Sequence, residues 1–153
     1  SELAFCYLLE QLVLKFGYDE PSLDDIFTLL EEISPQIAEY GTFNFCLSNG
    51  QALFSYATTK LHWLVREYPF KPAQLIDLDV EVDFSQMTTS EDRVAVITTE
   101  PLTQNETWTA FKAGEMILFQ AGQPIKNVIT AVKRLIREAA DPSLKRVTPA
   151  DLY

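Results

Sequence analysis

Few side chains in this sequence have the type and setting for chemistry, and each has an ordinary structural role to set against it. His62 is the only histidine, so a triad or metal centre in the chain would have to be built on it alone; beside Trp63 in an apolar stretch it reads as structural. Cys6 and Cys46 lie in apolar stretches without CxxC spacing and are expected to be buried, reduced thiols. No GxSxG, HExxH or phosphate-loop pattern occurs. Ser1 belongs to a class of N-terminal nucleophile whose own amine serves as base, but the residues after it follow a helical pattern and favour a helix N-cap. Asp77, Asp79, Glu81 and Asp83 offer oxygen ligands to a hard cation. Alternate positions of a strand lie along a nearly straight line and do not converge on one ion, so a solvated sheet face is expected, with no metal and no cofactor.

Residues 98–108 are the most informative segment. Thr98, Thr99, Glu100, Asn105, Glu106 and Trp108 stand at and beyond the end of an apolar strand, a composition suited to presenting polar groups at a sheet edge. Fixing the shape of the loop is the competing role.

Regular elements must position these groups. Glu2–Phe16 is apolar almost all round, which predicts a buried helix ended by Gly17. Ser22 is a good N-cap for a second helix with Asp24 and Asp25 in its first turn, Leu23, Ile26, Phe27, Leu30 and Ile33 at helical spacing, Pro35 as a kink and an end near Gly41. From Thr42 the period becomes alternating: Phe43, Phe45 and Leu47 share a face, Asn49-Gly50 signals a hairpin, and residues 53–56 return as its partner. Residues 61–66, 76–84, Arg93–Thr98 and Glu115–Gln120 read as further strands, with turns at Ala113-Gly114 and Ala121-Gly122. A final helix is expected over 124–140, striped by Ile125, Val128, Ile129, Val132, Leu135 and Ile136, with Pro124 in its first turn. Segregated helices and strands of this kind imply an α+β fold with mostly antiparallel sheets in one domain.

The 153 residues carry a formal charge of -10, which argues against nucleic acid and against anionic membranes. The only basic cluster, Lys126, Lys133, Arg134, Arg137, Lys145 and Arg146, reads as a solvated helix face. No apolar run reaches the length of a membrane span and no secretion signal layout is present, so a cytoplasmic location is expected. The chain does not begin with Met and opens directly into a periodic apolar segment, the appearance of a truncated or processed start.

Several stretches in order carry a resemblance: Ser1-Glu2-Leu3-Ala4-Phe5, Asn44 through Gly50, Leu61-His62-Trp63, Val80 through Phe84, residues 99–103, residues 105–108, and Gly114-Glu115. Together they resemble the class II (N-terminal-nucleophile) glutamine amidotransferases, in the branch of bacterial "predicted glutamine amidotransferases". The resemblance implies an αββα sandwich of antiparallel sheets between helical layers. It also implies attack of an N-terminal cysteine thiolate on the glutamine side-chain amide, with the cysteine's amine as base and Asn and Gly oxyanion donors.

In the family the nucleophile, the carboxylate-binding arginine, the Asn-Gly oxyanion pair and the amine-binding aspartate all precede the position matching Ser1. None is carried over, and Asn49-Gly50 is a hairpin turn rather than the oxyanion pair. The chain is therefore expected to be the C-terminal part of one such domain over 1–153, with helices in 1–41, strands in 42–120 and a last helix in 124–140, and to be inactive alone. It would supply scaffold and cleft wall, with Thr98, Thr99 and Glu100 near the cleft and Asn105, Glu106 and Trp108 supporting the loop. Expected partners are glutamine or a γ-glutamyl amide and the N-terminal segment of the same protein, with self-association left open. The alternatives are a non-catalytic α+β binding or assembly module and a hydrolase using Ser1.

Overall fold

Ser22 opens the best specified helix of the chain. In the computed structural model, which describes residues 2–76, 81–83, 88–141 and 143, its hydroxyl accepts the Asp25 backbone N–H at 3.1 Å while the Asp25 carboxylate accepts the Ser22 N–H at 3.3 Å. This reciprocal capping box starts α2 (Leu23–Ala38). Ile26, Phe27, Leu30 and Ile33 are its buried stripe, and Pro35 falls in its last turns. The carbonyls freed at its end are met by Arg134, whose Nε donates to Ala38 O at 2.9 Å and whose Nη2 donates to Gly41 O at 3.3 Å.

The preceding helix, α1 (Glu2–Phe16), forms as expected, but the expectation that it is buried is corrected. Leu8 is its only buried residue, with Leu12 and Phe16 packed partly against the core, while Leu3 and Leu14 are 87% and 72% exposed. The described residues cover one stripe of a helix that is apolar on every side. Cys6 lies off that stripe and is exposed, as is Cys46, so the reading of both thiols as buried is also corrected. Cys46 sits on an edge strand in which the alternate residues, Phe45 and Leu47, are the ones that pack on the core.

The strands are β1 (Phe45–Ser48), β2 (Leu53–Ala57), β3 (His62–Glu67), β4 (Ala73–Gln74), β5 (Glu81–Val82), β6 (Arg93–Thr98), β7 (Thr109–Ala110), β8 (Glu115–Gln120) and β9 (Gln123–Ile129), followed by α3 (Lys133–Ala140). Among the described residues every pairing is antiparallel, in sheets ordered β1-β2-β8-β9, β6-β3-β7 and β4-β5. Alternation divides β2 and β8 between two cores. Phe54, Tyr56, Met116 and Leu118 pack with α1, α2 and Val132, whereas Ala57, Ile117 and Phe119 pack with Trp63, Ala95 and Ile97 of the second sheet. Trp63 and Phe119 meet edge to face at 5.6 Å. The layers are thus helix, sheet and sheet, the α+β antiparallel arrangement expected.

The hairpin at Asn49-Gly50 forms with a four-residue loop, since Ser48 pairs with Leu53 and the Asn49 side chain accepts the N–H groups of Gln51 and Ala52. The expected helix over 124–140 is corrected: Gln123–Ile129 is β9, and the helix is confined to Lys133–Ala140. Ala121 and Gly122 have φ of 49° and 73°, and Gln120 pairs with Gln123, so the chain turns back within two residues and must pair as a strand. A Cβ on Gly122 would stand 2.2 Å from the Arg93 carbonyl oxygen. The spacing of Ile125, Val128, Ile129 and Val132 fits a helix equally well, and the turn decides against it. Of the strand expected over 76–84, Glu81–Val82 is observed; Asp77 and Asp79 of its acidic face lie outside the described residues, as does Ser1.

Candidate functional site

β3 is the central strand of its sheet, paired with β6 from His62↔Thr98 to Glu67↔Arg93 and with β7 at His62↔Ala110 and Trp63↔Thr109. Trp63 points between the sheets, so alternation sends His62, Leu64 and Arg66 to the outer face. The loop that leaves β6 is held on that face. Its residues pair with the segment around β4 through Ile76 N–H to Leu102 O at 2.9 Å, Gln104 N–H to Gln74 O at 3.1 Å and a bridge between Leu75 and Thr103. Leu64, Phe70, Ala73 and Thr103 are buried.

The six candidate residues fall into two groups. At the start of the loop, the Thr98 hydroxyl donates to Glu100 O at 2.7 Å, and His62 Nδ1 donates to Thr99 O at 3.0 Å. Glu100 pairs with Lys60 at 2.7 Å, both side chains being well exposed. At the far end, Asn105 accepts the Gln74 N–H and donates to Pro72 O, each at 2.8 Å. The Glu106 carboxylate receives a two-pronged ion pair from Arg66, with Nε to Oε1 and Nη2 to Oε2 both 2.7 Å. Thr103 Oγ1 donates to Glu106 Oε2 at 2.6 Å and accepts Trp108 Nε1–H at 3.0 Å.

The hydrogen bonds from Arg66 hold the Glu106 carboxyl below its ordinary range against the opposing effect of burial. Lys60 does the same for Glu100 at the surface. Both groups are therefore carboxylates at neutral pH, suited to accepting hydrogen bonds and unsuited to serving as general acids. His62, the lone histidine, has its Nδ1 committed to a backbone carbonyl. Among the described residues no three His, Cys, Asp or Glu side chains cluster as a metal site, and no helix is long and apolar enough to cross a membrane.

Among the described residues, hollows lie apart from these side chains. One of about 410 Å³ is lined by Trp63, Lys112, Glu115, Ile117 and Asn127, and Glu115 there accepts from Lys112 N–H and Asn127 Nδ2. Another, about 710 Å³, is apolar and lies between α1 and the end of α2, at Leu3, Tyr7, Ile37 and Tyr40. None of the six candidates lines either one.

Arg66 and Lys60 are not among the residues singled out from the sequence. The signal for Arg66 was present: it alternates with buried Leu64 on one face of a strand, where a guanidinium needs a counter-charge.

Residues 1–143 match the family described as glutamine amidotransferases class-II. The chain is 41% identical over 136 residues to a Haemophilus influenzae protein named "Putative glutamine amidotransferase", a match covering 89% of this chain and 46% of the relative. It is 41% identical over 125 residues to the Escherichia coli K12 protein "Putative glutamine amidotransferase YafJ", covering 82% and 49%. Its fold is similar to the crystal structure of a predicted glutamine amidotransferase from Pseudomonas aeruginosa PA01, with a TM-score of 0.68 at 33% identity over 82% of this chain and 49% of that one. The chain spans about half the length of these two curated relatives.

Proposed function

This chain belongs to the class II glutamine amidotransferase family, and we propose that the complete protein hydrolyses the side-chain amide of glutamine or of a γ-glutamyl compound. The match of residues 1–143 to the family carries this reading. In the proposed reaction an N-terminal cysteine, upstream of Ser1, gives its thiol proton to its own amine, and the thiolate attacks the amide carbonyl. The C–N bond breaks as the amine returns the proton to the departing ammonia, leaving a glutamyl thioester that water hydrolyses to glutamate and free thiol. Backbone and side-chain N–H donors stabilise the oxyanion.

Within that reaction the described residues are scaffold and cleft wall. Thr98, Thr99 and Glu100 border the cleft, while Asn105, Glu106 and Trp108 hold the loop behind them. The free thiols of Cys6 and Cys46 fit a cytoplasmic setting.

The test is ammonia release from glutamine and from γ-glutamyl amides by the full-length protein, with and without its N-terminal cysteine replaced by alanine. Equal formation of ammonia and glutamate, abolished by the replacement, supports the reading; no hydrolysis of any of these amides by intact protein overturns it. In the same assay Glu100→Ala is expected to raise KM for glutamine, and an unchanged KM in a stable variant removes Glu100 from the cleft.

A further inference from the structure

The loop after β6 is tied to one strand at two points. His62 holds its first residue beyond the sheet, through the Thr99 carbonyl, and Arg66 holds Glu106 near its end. Four positions of a strand separate the two anchors, roughly 13 Å. The strand that carries them, β3, pairs with β6 along its whole length and with β7 at His62 and Trp63, so the anchors cannot shift without disturbing the sheet.

The Arg66 anchor is the stronger of the two. Its guanidinium meets both carboxylate oxygens at 2.7 Å, and the two side chains retain only 19% and 17% exposure. The bonds beyond it have a fixed direction. The Trp108 indole can only donate and the Glu106 carboxylate can only accept, so the Thr103 hydroxyl must accept from the first and donate to the second. Trp108, Thr103 and Glu106 are thus referred to a single guanidinium. The Lys60–Glu100 pair, exposed at 77% and 58%, adds little to the hold. Between the anchors Glu100 and Leu102 remain exposed, which leaves them available to whatever the loop faces.

We propose that Arg66 is a positioning residue for the glutamine cleft: its two-pronged bond to Glu106 sets where residues 99–105 lie and so the shape of the wall they form. This inference rests on the proposed amide hydrolysis, and its test separates the two. In the full-length protein, Arg66→Ala is expected to lower kcat/KM for glutamine by roughly 10-fold or more, mainly through KM, because a displaced wall weakens substrate placement. Arg66→Lys keeps the charge and most of the stem but cannot fork onto the carboxylate, and is expected to restore melting temperature better than KM. Lys126→Ala, which removes an exposed pair with Asp24 on the helix side, should leave both constants unchanged.

Amide hydrogen exchange read on the same variants gives a measure independent of turnover. The Gln104 amide, bonded to Gln74 O, should exchange faster in Arg66→Ala and Arg66→Lys while the β8 amides do not. A folded Arg66 variant with wild-type KM overturns the positioning role. Unchanged exchange at Gln104 overturns it as well, even if glutamine proves not to be the substrate. Inactive wild-type protein would instead defeat the functional reading, with the exchange arm still deciding whether Arg66 sets the loop.

Discussion

Glu106 uses both carboxylate oxygens inside the fold, one on Arg66 Nε and the other shared between Arg66 Nη2 and Thr103. Because Arg66 lowers its carboxyl below the ordinary value of 4.5, the ionised form is the one the folded state favours. The sign follows directly: the contribution to stability is complete above 4.5 and is lost as the pH falls through the lower, folded value. Melting temperatures of wild type and Glu106→Gln should therefore differ at neutral pH and converge in the acid range; a gap that stays constant down to the acid limit would show that Glu106 is not the group responsible. The composition of residues 98–108 was legible as polar groups presented at a sheet edge. The pairing of Glu106 with Arg66 was not legible, since Arg66 lies 40 positions earlier and proximity of that kind is set by strand order.

Short-range geometry settled the elements that sequence pattern alone left ambiguous. The Ser22 N-cap could be read from the sequence because a cap acts within one turn, and Ser22→Ala should cost about 1 kcal/mol in a urea titration of the full-length protein. The turn at Ala121-Gly122 was visible too, yet its consequence for the next ten residues was not, because an apolar spacing shared by helix and strand followed it. Adjacent substitutions there should act in opposite directions. Gly122→Ala places a Cβ 2.2 Å from the Arg93 carbonyl at φ of 73° and is expected to destabilise by about 1–3 kcal/mol. Ala121→Gly relieves a left-handed alanine at φ of 49° and is expected to stabilise by up to about 1 kcal/mol. The same urea titration checks both, and destabilisation by Ala121→Gly would contradict the two-residue turn.

At the scale of the whole molecule, the described layers are helix, sheet and sheet, with the outer face of the second sheet covered at Arg66 by the loop after β6. The α+β class and antiparallel strands were legible because periodicity and hairpin turns are local. The environment of α1 was not: a helix apolar on all sides indicates how much surface can be covered without naming what covers it, and only the stripe through Leu8 is buried among the described residues. In the proposed function, this scaffold belongs to a protein that forms a covalent bond between an N-terminal cysteine and the side-chain carbonyl of glutamine. The most direct test is to treat the full-length protein with an electrophilic ketone analogue of glutamine and locate the adduct by intact mass and peptide mapping. The expected result is one adduct per chain on the N-terminal cysteine, prevented by excess glutamine and accompanied by loss of turnover; glutamine turnover that persists after that cysteine is fully modified or replaced would show that it is not the nucleophile.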